Sequence, residues 1–129
     1  MTDFHIKRRI YYHNTDSGGV VYYGRYLDFF EEGRTELLRE KGIEVAEYLK
    51  RGVGFAVVRA EIDYKRPARY GEEISVITRI EDVGRASIRF FQEIKKDDTT
   101  LTIATIILAC IGSDFKPKLV PDDMKKALS

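Results

Sequence analysis

At 129 residues, with 43% apolar and 33% charged side chains, the chain has the size and composition of one globular domain spanning residues 1–129, whose core needs no covalent staples. A formal net charge of +1 provides no global field for nucleic acid or an anionic membrane surface. The lone cysteine, Cys110, excludes an internal disulfide and points to a reducing compartment; with no apolar leader and no run of membrane-spanning length, a cytoplasmic location is expected.

Phe4 to Tyr12 alternates and is rich in β-formers, which predicts a first strand. A Gly-rich turn follows over Thr15 to Gly19. From Tyr23 to about Lys41, Tyr26, Leu27, Phe30, Leu37 and Leu38 recur at helical spacing among charged residues, so a long amphipathic helix is expected. Gly33 sits on its apolar face, where it would allow close approach to a sheet. Ile43 to Arg51 predicts a short second helix. Ala56, Val58, Ala60, Ile62 and Tyr64 alternate with Val57, Arg59, Glu61, Asp63 and Lys65 as in a half-buried antiparallel strand. Strands are also predicted around Ile74 to Ile80 and Ile88 to Ile94, with a polar loop over Lys95 to Thr100. Leu101 to Ile111 is almost continuously apolar and β-branched, the pattern of a strand covered on both faces. A short helix can close the chain from Pro121 to Leu128. The order is β, long α, then four β in a meander. One long helix covers only one face of such a sheet, so association with a second copy is expected.

The stretch from Tyr12 to Gly24 is the most informative. It sets one carboxylate, Asp16, on a glycine-rich turn immediately before the long helix. A helix start offers unpaired N–H groups and the positive end of a dipole. Such donors can hold an oxyanion while a nearby carboxylate attacks or activates water. Asp16 is equally suited to an Asx turn ahead of a helix.

The turn Thr15-Asp16-Ser17-Gly18-Gly19-Val20-Val21-Tyr22 resembles the 4-hydroxybenzoyl-CoA thioesterase family, above all its bacterial branch of Tol–Pal-associated short-chain acyl-CoA thioesterases. Glu32-Gly33-Arg34-Thr35-Glu36 fits the family's E-x-x-R-T/S-E-like helix segment. Ala60 to Glu72 is similar to its second recurring stretch, and the likeness runs from about Ile10 to Gly112. The resemblance implies an α+β hotdog fold, a long central helix wrapped by a curled antiparallel sheet. It also implies a homodimer, often paired into a tetramer, with active sites at the subunit interface and acyl-CoA as substrate. Asp16 matches the catalytic aspartate, as nucleophile or general base, and the family's spacing makes the Tyr23 backbone amide the oxyanion donor. Gly19, Val20, Val21 and Tyr22 would line the substrate. Arg85 resembles a CoA-phosphate contact, and Arg66, in a basic cluster with Lys65 and Arg69, is a second candidate for the phosphates.

Thioester hydrolysis asks for little beyond a carboxylate and an oxyanion donor, so no cofactor is expected; CoA is part of the substrate. His5 and His13 have no cysteine or carboxylate cluster around them and suggest no metal site. Neither a P-loop nor a G-x-S-x-G elbow is present. Two other readings compete: a non-catalytic acyl-CoA-binding hotdog acting as sensor or interaction module, and a hotdog dehydratase or isomerase, which needs a histidine–carboxylate pair not visible here.

Overall fold

A computed structural model describes residues 3–129; the first two residues of the 1–129 span lie outside the described residues. Five antiparallel strands, β1 (Phe4–Arg9), β2 (Val53–Tyr64), β3 (Glu73–Val83), β4 (Ser87–Lys96) and β5 (Thr99–Gly112), form one sheet in the order β1-β3-β4-β5-β2. The helices are α1 (Tyr26–Glu40), α2 (Val45–Lys50) and α3 (Asp122–Leu128). A turn of 3-10 helix over Tyr23–Arg25 runs directly into α1, so the long helix begins at Tyr23 as expected. One long helix on one face of an antiparallel sheet is the hotdog arrangement that the resemblance implies.

The first strand is shorter than the alternation suggests. It stops at Arg9, and Tyr12–Asn14 instead make a separate 3-10 turn. The four later strands are not a simple meander either. β3, β4 and β5 are consecutive neighbours, but β2 pairs with β5 at the far edge, so the connection from Lys65 to Glu72 crosses the sheet end. The predicted loop over Lys95 to Thr100 is also tighter, with β4 and β5 paired up to Lys96 and Thr99.

α1 lays Tyr26, Phe29, Phe30, Leu37 and Leu38 onto the sheet. Leu27, grouped with this face by spacing, is exposed, and Phe29 takes its place. Phe30 and Phe90 are fully covered; burying such a ring contributes about 2–3 kcal/mol. Gly33 is the point of closest approach. A Cβ there would lie 2.6 Å from Thr78 Oγ1 and 3.0 Å from Val76 Cγ1. Beneath it, Gln92 Nε2 donates to Phe30 O at 2.8 Å and to Thr78 Oγ1 at 2.9 Å, tying helix, β3 and β4 together through satisfied buried polar groups.

β2 corrects the parity read from sequence. Val57 pairs with Leu108 and Arg59 with Ile107, leaving Val58 as an extra residue in a bulge. Val53 and Phe55 face the core before the bulge, Ile62 after it. A bulge shifts the side-chain alternation by one residue, so Ala56 does not share the face of Ile62 and Tyr64. β5 is interior in the sheet, and its residues alternate between buried and half-buried. Cys110 is a core residue whose thiol is pushed up by burial, as expected for a structural cysteine.

Candidate active site

Asp16 sits at the start of a small hairpin. Its N–H donates to Val20 O at 2.9 Å, and Gly19 N–H returns to Asp16 O at 3.1 Å. Gly19 adopts φ +77°, a conformation that favours glycine. Two backbone bonds fasten the hairpin to the loop ahead of β3: Val21 N–H to Ala68 O at 2.8 Å and Tyr70 N–H to Gly19 O at 3.1 Å. Tyr22 N–H donates to Asn14 O at 3.1 Å, which closes the base of the hairpin just before the helix.

The Asp16 side chain does make an Asx turn: Oδ1 accepts the Gly18 N–H at 2.8 Å. That bond fixes the carboxylate on an exposed turn, and no cation among the described residues pairs with it within salt-bridge distance. The next turn of chain begins the helix. Arg25 N–H is taken by Tyr22 O, whereas the N–H groups of Tyr23 and Gly24 have no acceptor among the described residues. These are the orphan donors of a helix start, at the positive end of its dipole.

Beside this end lies a cleft of about 250 Å³. Its walls are the rings of Tyr23, Tyr26 and Tyr64 with Val21 and Pro67, and Lys65 and Arg66 add two cations. Tyr26 packs edge-on to Tyr64 at 5.4 Å, and its hydroxyl accepts Ala68 N–H at 3.1 Å. Burial pushes the Tyr26 phenol up. Tyr64, at the end of β2, donates its hydroxyl to Tyr23 O at 3.2 Å. Its phenol is also pushed up, by burial and then by the neighbouring Tyr26 and Tyr23, which keeps it protonated as a donor.

Among the residues singled out in the sequence, Asp16, Gly19, Val20, Val21, Tyr22, Tyr23 and Arg66 gather at this end of the sheet. Val20 bridges to Arg69, Val21 is buried, and the Tyr22 and Tyr23 rings stand 4.6 Å apart. Asp16 itself does not form part of the cleft wall. Arg85 is not brought here. It follows β3, whose eleven residues span the sheet, and its carbonyl accepts Val120 N–H at 2.8 Å at the opposite end. At about 3.3 Å per residue, that strand separates the two by roughly 30 Å along the sheet. His13 stacks on Tyr11 at 6.0 Å and His5 is exposed on β1; neither joins Asp16. Among the described residues no group of three or more His, Cys, Asp or Glu could hold a metal.

Sequence reasoning missed Tyr64 as part of the site. The β2 bulge sets which face it occupies, and nothing in the local alternation signals a bulge.

The family model described as the thioesterase-like superfamily matches residues 11–128. Among curated relatives, an acyl-CoA thioesterase YbgC from Haemophilus influenzae is 37% identical over 121 residues, covering 92% of this chain and 89% of that protein. A putative acyl-CoA thioesterase YneP from Bacillus subtilis is 37% identical over 117 residues, covering 86% and 85%. Among solved structures, a probable thioesterase from Bartonella henselae superposes with a TM-score of 0.88 at 34% identity, over 93% of this chain and all of the other (100%).

Proposed function

We propose, for a chain that belongs to the thioesterase-like superfamily and is an acyl-CoA thioesterase, that Asp16 and the start of the long helix carry out the hydrolysis. The observation that carries the reading is the pairing of a fixed carboxylate with two unclaimed helix-end amides on neighbouring turns. The thioester carbonyl oxygen takes the Tyr23 N–H, with the helix dipole behind it, and negative charge that develops there is stabilised by donors already in position. Asp16 acts on the carbonyl carbon, directly or through a water molecule it deprotonates. The thiolate of CoA is a good leaving group and asks for no strong acid. The tyrosine-walled cleft receives the substrate beside the reacting bond. Lys65 and Arg66 lie where phosphate charge can be met.

A second copy completes this site in our reading. β2 is a twelve-residue edge strand, bonded only to β5, that exposes Val57, Val58 and Ala60. A long apolar edge is a template for another strand. Pairing two β2 edges about a two-fold axis makes them antiparallel, and that sets the Arg85 end of one copy beside the Asp16 end of the other. This gives Arg85 a route to the CoA phosphates that it lacks within its own chain. The same account makes the molecule a homodimer or a dimer of dimers, working in the cytoplasm. No described helix is long and apolar enough to cross a membrane.

The test is thiol release from a panel of acyl-CoAs, from acetyl to medium-chain and benzoyl. Turnover of at least one class, saturating in substrate, is expected. Acyl-CoA binding without thiol release across the panel would replace this reading with that of a sensor or interaction module.

A further inference from the structure

Three consecutive residues of the Lys65 to Glu72 connection seat the Asp16 hairpin. Ala68 O accepts the Val21 N–H at 2.8 Å, Val20 bridges to Arg69, and Tyr70 N–H donates to Gly19 O at 3.1 Å. Ala68 is fully buried, and its own N–H donates to the Tyr26 hydroxyl on α1 at 3.1 Å. The hairpin is closed on itself by the Asp16–Val20 and Gly19–Asp16 backbone bonds and by the Asx turn. Its carboxylate therefore moves with it as a unit. The Tyr23 N–H belongs to the helix, which is packed on the sheet. How the two groups face each other depends on where Ala68 to Tyr70 hold the hairpin.

Backbone bonds anchor the two ends of the connection. The Lys65 and Arg66 N–H groups both donate to Leu101 O, at 2.9 and 3.0 Å. At the other end Ile10 N–H donates to Glu72 O at 2.8 Å, and Gly71 N–H to Ile10 O at 2.9 Å. The Glu72 carboxylate ties the middle of the connection to β4. Its Oε1 accepts the Arg69 N–H at 2.7 Å, and its Oε2 accepts Lys96 Nζ at 2.5 Å. With 18% of its side chain exposed, Glu72 is the least exposed carboxylate in any ion pair among the described residues, so solvent screens this pair less than the others. Burial pushes the Glu72 carboxyl up, but the bonds from Lys96 and the Arg69 N–H outweigh it and hold the group below its ordinary value. It is thus a charged acceptor, and both of its bonds are of the strong, charge-assisted kind.

We propose that Glu72 is a positioning residue for the hydrolysis: bridging Lys96 and the Arg69 peptide, it sets the seat of the hairpin and so the approach of Asp16 to the Tyr23 N–H. The assignment rests on the reaction given to Asp16. Glu72 forms no part of the tyrosine-walled cleft and acts only through the backbone it holds. A displacement of about 1 Å at a reacting group can cost roughly a hundredfold in rate, so a tie this far from the chemistry still reaches kcat. Lys96 shares the role from β4, because the bridge needs both of its ends.

The experiment compares Glu72→Gln, Lys96→Met and the double variant of the full chain, by thiol-release kinetics and by amide hydrogen exchange. Each single variant is expected to lower kcat about tenfold with KM unchanged. The double variant should fall no further than either single one, because both remove the same tie. The Val21 and Tyr70 amides should exchange at least about tenfold faster, with the β4 and β5 amides unaffected. A role in stability alone would lower the melting temperature and leave kcat in place. An unchanged kcat in either single variant, additive losses in the double variant, or unaltered exchange at Val21 and Tyr70 would each overturn the proposal. If Glu72→Gln fails to fold, Lys96→Met, altered at a half-exposed side chain, gives the same readings. Asp16→Asn separates the two claims. Full kcat in Glu72→Gln beside an inactive Asp16→Asn removes only the role of Glu72, whereas an active Asp16→Asn removes the reaction assigned to Asp16 and this role with it.

Discussion

The Tyr23 carbonyl accepts a hydrogen bond from the Tyr64 hydroxyl, a link between the end of β2 and the first peptide of the helix. That carbonyl shares a peptide plane with the Gly24 N–H, so the bond steadies that donor directly and the adjoining Tyr23 N–H through the Tyr23 backbone. A neutral hydrogen bond contributes about 1 kcal/mol net, and a loss of that size in the transition state is roughly fivefold in rate. Tyr64→Phe keeps the ring packing and removes only the hydroxyl. It should lower kcat about fivefold while KM stays close to its original value; steady-state kinetics that moved KM alone would assign Tyr64 to substrate contact instead. Asp16 is singled out by the resemblance of its turn to the family's; the local residues alone suit an Asx turn, and Oδ1 does accept the Gly18 N–H. Tyr64 is not singled out, because its side chain reaches Tyr23 only through a bulge six residues earlier.

At the scale of the element, the long helix is placed by what it lacks. Gly33 lets α1 settle against Thr78 and Val76. Gly33→Ala would gain about 1 kcal/mol of helix propensity but force a methyl group to within 2.6 Å of Thr78 Oγ1. Overpacking of this kind costs about 1–3 kcal/mol, and here it also strains the Gln92 network. Urea denaturation should show a net loss of about 1–2 kcal/mol; equal or greater stability would mean that the helix can shift away at no cost. The helix, the strand order along the chain and the closeness at Gly33 could all be read from periodicity and composition, which are local signals. The pairing of β2 with β5 could not, because which strands become neighbours depends on contacts distant in sequence. From its place on the helix, Arg34 is expected to form an ion pair at a subunit contact; within one chain it is buried against Gln92 Oε1, a partner that only the packed sheet supplies.

The whole molecule ends in an unpaired edge. Val57 and Val58 are 51% and 61% exposed on β2, and burying them against a second copy is the simplest way to cover that strand. Light scattering should show a dimer or a multiple of one. Val58→Asp should drive it toward monomer and lower activity with it, since each Asp16 site would lose the second copy; a fully active monomer would remove the shared-site account. The fold was legible at this scale from the order of elements together with the motif turn. Association with a second copy is an expectation that rests on the uncovered sheet face and on the family resemblance. The most direct test of the central claim is the turnover of Asp16→Asn on the best acyl-CoA of the panel, measured as thiol release. The account predicts a fall in kcat of roughly a thousandfold or more, with substrate binding and oligomeric state retained; turnover within tenfold of the unmodified protein would contradict it.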